Sequence, residues 1–223
     1  MSEPAKRTGW RSLLRLALRA LDSLDPAPDW TWGGGTALAS HLAHRTSHDI
    51  DLFLPDTRAL RDLHPARNAV VRGLSENIQV PGHYVKIVRP KGEIDFIAAP
   101  LLTAPGFGLW EFEGRAVQRE TVAEILAKKL RWRGSRAPAR DVFDLLAAER
   151  WAPEDFKAAV EAEPEGARRV ADGIRAGLSR LKKELPGAID PTDRGRELFE
   201  ADLLELAAAL DRQTKEHEGG SGR

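Results

Sequence analysis

The residues with the clearest chemical potential are two aspartates, Asp49 and Asp51, separated by one apolar residue. Side chains at positions i and i+2 of a β-strand share one face, so the two carboxylates point the same way while Ile50 and Leu52 point into the core. Two carboxylates about 6 to 7 Å apart at a strand end can ligate one or two Mg²⁺ or Mn²⁺ ions, which prefer oxygen ligands. The pair therefore predicts a metal site.

A run of three glycines, residues 33–35, predicts a phosphate cradle upstream of this pair. Gly34 and Gly35 precede a helix that is predicted to start at Thr36. Glycines let backbone N–H groups approach phosphate oxygens closely, and a helix N-terminus adds favourable partial positive charge. An isolated D-x-D pattern is more often a surface feature of an edge strand, but thirteen residues separate Gly35 from Asp49, and this upstream turn favours a triphosphate site.

A third carboxylate is needed if two metal ions are to be held and an attacking hydroxyl activated. Asp95 supplies it, because it lies on a predicted strand between the apolar residues Ile94 and Phe96. Glu93 shares its face and is the alternative. We expect Asp49, Asp51 and Asp95 to converge in space.

The elements that must position these residues divide into a β-rich first part and a helical second part. The predicted fold class is α+β, a mixed β-sheet flanked by helices with a C-terminal helical portion over one side of a cleft. We place the core with its N-terminal helix at residues 1–120 and the helical portion at 121–215. The polar, glycine-rich residues 216–223 are predicted to be a disordered tail.

Hydrophobic periodicity and turn residues predict the individual elements. Strands are expected at 30–32, 49–54, around Ile78, at 84–88, at 93–97 and in a hairpin over 110–117 that turns at Glu113-Gly114. Helices are expected at 10–24, 36–43, 57–74 with an interruption at Pro65, 122–133, 138–149, 153–162, 166–185 and 192–213. Thr121 and Glu124 predict a capping box at the first helix of the second part.

The longer motif has a known counterpart. The spacing G-G, thirteen residues, D-x-D resembles the signature of the DNA polymerase β-type nucleotidyltransferase superfamily. The runs G-G-T-A-L at 34–38 and H-R-x-S-x-D-I-D-L-F at 44–53 are similar to the AbiEii/AbiGii toxin family, the nucleotidyltransferase half of bacterial type IV toxin–antitoxin and abortive-infection systems. An I-x-x-x-K-L block at 125–130 and an R-D-x-x-D-L block at 140–145 extend the likeness over residues 30–146.

The resemblance implies a nucleotidyltransferase fold and transfer of a nucleoside monophosphate from an NTP to an acceptor hydroxyl, with release of pyrophosphate. It also implies a toxin that acts on tRNA or another cellular acceptor and is held in check by a separately encoded antitoxin. The metal-binding and catalytic carboxylates would be Asp49, Asp51 and Asp95, and the phosphates would be cradled by Gly34, Gly35 and Thr36.

Helical spacing offers an independent view of Lys129. On a helix from Val122, Lys129 falls inside the apolar stripe, whereas Lys128 falls toward its edge. A lysine on a core-facing stripe needs a partner. The resemblance makes a bound triphosphate that partner, so Lys129 is predicted to be catalytic and nucleotide-binding; snorkelling or a structural carboxylate is the alternative.

Two further aspartates, Asp141 and Asp144, lie away from the apolar stripe of their helix, so they are predicted to face solvent or a cleft. By analogy with the family, Asp144 belongs to the active site, with Asp141 and Arg140 beside it. The alternative is a solvated face with an ion pair between Arg140 and Asp144.

The loop between the glycine-started helix and the aspartate strand carries His44, Arg45 and Ser47. His44 and Arg45 are predicted to contact nucleotide phosphate or ribose, and Ser47 to cap or brace the loop. We assign His44 no general-base role, because chemistry with metal ions and carboxylates does not require one. The histidines without metal-ligand spacing are His41, His48 and His64.

Composition restricts the remaining classes. The absence of cysteine excludes disulfides, thiolate metal sites and cysteine nucleophiles. Basic residues interrupt the first 24 residues and no apolar window approaches a membrane span, so a cytoplasmic protein without membrane contact is predicted. With 34 basic and 34 acidic residues the net charge favours no partner. Arginines in the first helix and at Arg131, Arg133, Arg136 and Arg140 could hold an RNA acceptor, although such faces are more often solvated.

Two other functions stay open. A small-molecule nucleotidyltransferase, such as one that modifies an antibiotic, would share the metal site without needing the arginine patches. An inactive NTP-binding or partner-binding module would lack turnover, and the presence of Asp49, Asp51 and Asp95 argues against it.

Overall fold

The computed structural model of the protein describes residues 9–133 and 136–220, the last four of these by their backbone alone. The chain forms two compact units. The first takes the chain up to Ala37, then Ser47–Leu101 and Gly108–Glu120. The second takes Leu38–Thr46, Leu102–Phe107 and the chain from Thr121 onward.

The first unit is built around a seven-stranded sheet with the order β3-β4-β5-β2-β1-β7-β6. The sheet is mixed, because β2 runs parallel to β5 and β1 parallel to β7, whereas β1–β2, β3–β4 and β4–β5 are antiparallel. The predicted α+β class with a mixed sheet is therefore confirmed. The strands are β1 (Thr31–Gly33), β2 (Ile50–Leu54), β3 (Ile78–Gln79), β4 (Tyr84–Arg89), β5 (Gly92–Ala98), β6 (Phe107–Phe112) and β7 (Arg115–Glu120).

The amphipathic helix α1 (Trp10–Asp22) covers β2 and β5 with its apolar stripe. Trp10 stacks on Trp32 of β1, with ring centroids 5.3 Å apart. Trp32 and the stripe residues Leu13, Leu14, Ala17 and Leu21 are almost completely buried. This packing fixes one face of the sheet as core and leaves the other face for polar side chains.

Shorter elements complete the first unit. Helix α2 (Gly34–Leu42) begins there and α3 (Arg58–Asp62) and α4 (Ala69–Arg72) follow β2. The break predicted at Pro65 lies between α3 and α4, where Asn68 caps α4 by accepting the N–H of Val71 at 3.0 Å. The β6–β7 hairpin turns at Glu113 and Gly114, both with positive φ, as predicted.

The second unit is helical. Its elements are α5 (Val122–Arg133), α6 (Ala139–Trp151), α7 (Pro153–Ala162), α8 (Pro164–Ala176), α9 (Leu178–Ala188), a 3₁₀ helix (Gly195–Glu200) and α10 (Leu203–Gly220). Among the residues described, no helix combines the length and apolar character needed to cross a membrane.

Two helices predicted in this unit are wrong in their continuity. The helix predicted over 166–185 is two helices, because the chain leaves helical geometry at Gly177. The helix predicted over 192–213 is also interrupted, since Ala201 is extended and Asp202 starts α10 by accepting the N–H of Leu204 at 2.8 Å. The predicted tail starts at residue 216, whereas α10 continues to Gly220; residues 221–223 lie outside the described residues.

Candidate active site

Strand register places polar residues in a line across the sheet of the first unit. Gly33 of β1 is the partner of Asp51, and Asp51 is the partner of Asp95 on β5. Asp95 in turn is the partner of Lys86 on β4. Neighbouring strands are about 4.8 Å apart, so these side chains are neighbours. We call the acidic members of this region, Asp49, Asp51, Glu93 and Asp95, the carboxylate row.

The alternation of β2 explains why the aspartates are available. Ile50, Leu52 and Leu54 are completely buried, whereas Asp51 and Phe53 are half-buried on the other face, as the i, i+2 spacing predicts. Asp49 lies just before the strand, and its Oδ1 accepts the backbone N–H of Glu93 at 2.9 Å. This bond ties the start of β5 to the segment that enters β2.

Asp95 has the most unusual environment in the row. Its Oδ2 accepts from Lys86 Nζ at 2.9 Å, and Lys86 also contacts Glu93. Its Oδ1 is buried and has no hydrogen-bond partner among the described residues. Burial raises the pKa of Asp95, and the nearby charges of Glu93 and Asp49 act in the same direction, while Lys86 opposes them.

The glycine turn fits closely against the row. Gly34 starts α2 with φ of 70°, and a Cβ there would lie 1.9 Å from Asp51 Oδ2, so a side chain is excluded both by the backbone conformation and by space. A Cβ on Gly33 would lie 2.1 Å from Glu120 Oε2. The carboxylate of Asp51 therefore sits against the first residue of a helix.

Two hydroxyl groups, those of Thr36 and Ser47, hold the glycine turn in place. Thr36 is almost fully buried, and its Oγ1 donates to Ser47 Oγ at 2.9 Å. Ser47 thus links the start of α2 to the segment that enters β2, which matches the bracing role predicted for it. Thr36 and Ser47 hold the loop rather than point freely into solution.

The carboxylate row can be tested for its fit to a divalent cation. Within the described residues, no group of three His, Cys, Asp or Glu side chains is placed so that it could hold a metal ion. Of the three aspartates expected to converge, Asp51 and Asp95 are register partners, and Asp49 does not complete a group of three with them. Lys86 lies against Asp95 and Glu93, where it balances part of the negative charge. The donors are nonetheless all carboxylate oxygens, and Asp95 Oδ1 is a buried acceptor without a partner, which suits a hard cation such as Mg²⁺.

The second unit contains a different set of charges, which we call the buried ion cluster: His44, Arg45, Lys129, Asp141 and Asp144. Asp144 is completely buried at its centre. Its Oδ1 lies 2.7 Å from both His44 Nε2 and Arg45 Nε, and its Oδ2 lies 3.0 Å from both Arg45 Nη2 and Lys129 Nζ. Lys129 also donates to Asp141.

Charge pairing dominates the protonation equilibria of this cluster. Burial on its own would raise the pKa of Asp144, but Lys129 and Arg45 hold that pKa well below its usual range. Burial would likewise lower the pKa of Lys129, but Asp141 and Asp144 raise it overall. The carboxylate and the ammonium are therefore both charged, and each is the reason that the other can be buried.

Two expectations about this region are corrected. Asp141 and Asp144 were expected to face solvent or a cleft, yet both are buried, because α5, α7 and α9 pack around α6. The side chain of Arg140 donates to Ala188 O at 3.1 Å instead of pairing with Asp144.

The order of the two lysines on α5 is also corrected. Lys128, expected at the edge of the apolar stripe, is more buried than Lys129, since their side chains are 5% and 14% exposed. Lys128 pairs with Glu124, whose carboxylate accepts the backbone N–H groups of Leu102 and Thr103. Glu124 therefore does not close the predicted capping box, although its own N–H does donate to Thr121 Oγ1 at 3.1 Å.

A late segment of the second unit fixes the loop that carries His44 and Arg45. Thr46 N donates to Asp190 O at 2.8 Å, and Thr192 N donates to His44 O at 3.2 Å. Thr192 Oγ1 also donates to Ala43 O at 2.6 Å, at a residue with positive φ. The loop conformation is thus set by backbone contacts far away in sequence.

Sequence reasoning missed Lys86. Its signal was present in the β4–β5 hairpin, because a turn that pairs Arg89 with Gly92 necessarily pairs Lys86 with Asp95. It also missed Glu120, which is completely buried and accepts from Thr31 Oγ1 at 2.6 Å.

These arrangements can be set beside known proteins. A family model described as the nucleotidyl transferase AbiEii toxin of type IV toxin–antitoxin systems matches residues 16–217. The chain belongs to the AbiEii family. It is therefore a nucleotidyltransferase by family, as the G-G-T-A-L and D-I-D-L-F runs predicted. No curated protein matches the chain significantly.

Solved structures similar to this AbiEii family member are distant. A proposed nucleotidyltransferase from H. pylori is 15% identical, with a TM-score of 0.47, over 99% of this chain and 97% of that one. The crystal structure of ANT(2″)-Ia with adenylyl-2″-tobramycin is 20% identical, with a TM-score of 0.39, over 76% and 97%. A solution structure of the antibiotic-resistance factor ANT(2″)-Ia is 20% identical, with a TM-score of 0.37, over 80% and 96%.

Proposed function

We propose that this AbiEii family member transfers a nucleoside monophosphate from an NTP to an acceptor hydroxyl in a reaction that depends on Mg²⁺ or Mn²⁺. The observation that carries the proposal is the register of Asp51 with Asp95, one strand apart, beside a glycine turn that admits no side chain. The carboxylate row alone would suit several metal-dependent reactions. The turn at a helix N-terminus adds a place for phosphate.

Asp49, Asp51 and Asp95 would hold the metal ions. A divalent cation held there would supply charge neutralisation to the triphosphate, which favours attack at the α-phosphorus. The turn at Gly34, Gly35 and Thr36 would orient the phosphates through backbone N–H groups. We assign the row, and not the buried ion cluster, as the metal site, because both oxygens of Asp144, the central carboxylate of the cluster, already have cationic partners.

The chemical step follows from the position of Asp95. The acceptor oxygen forms a bond to the α-phosphorus, the bond from that phosphorus to the bridging oxygen breaks, and pyrophosphate leaves. The hydroxyl proton would pass to the carboxylate of Asp95, which is the activating role proposed for this residue. A pKa raised by burial makes this carboxylate a better proton acceptor than an ordinary aspartate.

The roles of His44, Arg45, Lys129 and Asp144 in nucleotide binding remain proposals that rest on the family resemblance. His44, Arg45 and Lys129 each already contact Asp144 in the second unit, which also gives the four residues a structural role. The two roles predict different results when Lys129 is replaced by methionine. A nucleotide-binding role raises KM for NTP at unchanged unfolding free energy, whereas a structural role lowers that free energy.

We further propose that the acceptor is tRNA or another cellular RNA and that an antitoxin protein restrains the enzyme. The support is the family description as the toxin of a type IV system. The arginines first considered for RNA are largely engaged: Arg15 pairs with Glu113, and Arg131 pairs with Glu163, each at 2.6 Å. Recognition of RNA would therefore draw on other groups or on rearranged pairs.

Incubation of the purified chain with labelled NTPs, Mg²⁺ and total RNA tests the proposal. We expect labelled RNA of tRNA size, release of pyrophosphate, and loss of both with EDTA. Asp51→Asn should lower the rate by about 100-fold or more, because a proposed ligand to the metal ion is removed. Asp62→Asn removes an exposed carboxylate of the same unit and should change the rate less than twofold, within ~0.5 kcal/mol.

The same assay separates the alternatives. Labelling of small hydroxylated compounds but not RNA would indicate a small-molecule nucleotidyltransferase. NTP binding without release of pyrophosphate would indicate an inactive module. Growth arrest on expression that persists in Asp51→Asn would contradict toxicity through this chemistry.

A further inference from the structure

Lys86 is placed more specifically than an ordinary surface lysine. It lies on β4 directly opposite Asp95, with its Nζ 2.9 Å from Asp95 Oδ2 and a second contact to Glu93. Its side chain is 21% exposed, so it is mostly enclosed but retains a route to solvent. The ammonium group therefore lies on the face of the sheet that carries the carboxylate row.

A purely structural role does not account for this position. Strands β4 and β5 are already joined by six register pairs from Tyr84 to Arg89, and an ion pair of this exposure adds little to such a ladder. The lysine moreover satisfies Asp95 Oδ2 and leaves the buried Oδ1 of the same carboxylate without a partner. Lys86 therefore neutralises part of the negative charge of the carboxylate row and leaves one acceptor, Asp95 Oδ1, without a hydrogen-bond donor in the described part of the chain.

We propose that Lys86 is an internal cation of the carboxylate row that lowers its affinity for divalent metal ions and withdraws from Asp95 Oδ2 when such an ion binds. The inference rests on the proposed function, because it takes the row to be the metal site. The positive charge of Lys86, so close to a proposed metal ligand, repels an incoming metal ion. The flexible four-carbon side chain of lysine allows its ammonium group to move away from Asp95. Lys86 is a positioning residue, since it acts on Asp95 and Glu93.

As a consequence, the charge of the carboxylate row is balanced by Lys86 without metal and by the metal ion when one is bound. In the metal-free state Lys86 pairs with Asp95 and Glu93 and so offsets the repulsion between these two neighbouring carboxylates. With metal, that task passes to the ion. The affinity of the carboxylate row for metal then depends on Lys86 as well as on the ligands themselves.

Calorimetric titration of the full-length, metal-free protein with MnCl₂ tests this inference. Lys86→Met keeps the length of the side chain and removes its charge, so it should bind Mn²⁺ about tenfold more tightly than the unchanged protein. Lys86→Gln should shift in the same direction. Lys86→Arg retains the charge and should stay within about threefold of the unchanged protein.

Lys91→Met is the matched control, because it removes the same charge from the exposed turn of the same hairpin. It should leave the Mn²⁺ affinity within about twofold. Melting temperatures provide a second readout: saturating Mn²⁺ should raise the melting temperature of Lys86→Met more than that of the unchanged protein.

Equal or weaker Mn²⁺ binding by both neutral variants would overturn the inference. Asp51→Asn distinguishes this failure from failure of the proposed function. If Mn²⁺ binds and Asp51→Asn abolishes the binding, while the Lys86 variants leave it unchanged, only the role of Lys86 is wrong. If the unchanged protein binds no Mn²⁺, or if Asp51→Asn binds it normally, the metal site itself is wrong.

Discussion

The carboxylate row and the buried ion cluster use the same residue types for opposite purposes. In the cluster, both oxygens of Asp144 have cationic partners and the carboxylate is completely buried. In the row, Lys86 contacts Asp95 and Glu93, the side chain of Asp95 is 16% exposed, and Asp95 Oδ1 has no partner among the described residues.

The two regions therefore differ in how well their central carboxylate is stabilised in its ionised form. The pKa of Asp144 is held well below its usual range, whereas burial raises that of Asp95. A carboxylate whose ionised form is stabilised by its surroundings contributes to the stability of the fold. A carboxylate whose ionised form is destabilised binds a cation or a proton more readily. This difference supports our proposals that the row carries the chemistry and that the cluster has a structural role.

The largest expected effect is on the stability of the cluster. Asp144→Asn leaves Lys129 and Arg45 buried without their shared counterion, so it should lower the free energy of unfolding by about 3 to 5 kcal/mol. Asp51→Asn, in the row, should lower it by less than about 1 kcal/mol. Urea unfolding of both variants measures the difference, and equal losses would erase the distinction between the two regions.

The next effect concerns the close fit of the glycine turn to the row. Gly34→Ala combines positive φ with a Cβ 1.9 Å from Asp51, so it should displace that carboxylate and reduce kcat/KM by about 100-fold. Gly82→Ala, also at positive φ but with open space around its Cβ, isolates the backbone strain. We expect it to cost about 1 kcal/mol of stability while leaving kcat/KM unchanged.

A loss of activity in Gly82→Ala equal to that in Gly34→Ala would show that strain, rather than contact with Asp51, causes the effect. A fully active Gly34→Ala would remove the turn from the site.

The smallest effect is the pH dependence of Asp95. Because its folded-state pKa lies above the unfolded value of 3.8, ionised Asp95 costs stability at neutral pH, and this cost disappears as the pH falls through the folded-state pKa. Asp95→Asn should therefore be more stable at pH 7 by less than about 1 kcal/mol, with the gain fading toward pH 4. Chemical unfolding across this pH range measures it.

Asp144 should behave in the opposite way. Its depressed pKa contributes stability above the unfolded value of 3.8, and this contribution is lost as the pH falls through the folded-state pKa. A gain at pH 7 in Asp144→Asn, or a loss in Asp95→Asn, would reverse the assignment of the two regions.

Much of the fold, and the strand positions of the residues proposed for the site, could be predicted from sequence. The alternation of Asp49 and Asp51 with Ile50 and Leu52 determines which side chains reach the polar face, and this alternation is local. The glycine turn is equally local. Local signals also located the break at Pro65 and the hairpin turn at Glu113.

What depended on distant contacts could not be predicted. Asp144 is buried because α6 packs among other helices of the second unit, and the helical periodicity of α6 itself does not contain that information. The role of Lys86 needed the pairing of β4 with β5, and the loop at His44 is held by Thr192, far along the chain. The break at Ala201 likewise replaces an otherwise good helical pattern.

Diffraction from crystals grown with Mn²⁺ and a non-hydrolysable NTP analogue tests the central claim most directly. We expect anomalous density for Mn²⁺ at about 2.0 to 2.3 Å from oxygens of Asp51 and Asp95, with the analogue's phosphates at the turn of Gly34. Mn²⁺ bound at Asp144 or Asp141, or phosphates bound away from the carboxylate row, would contradict it.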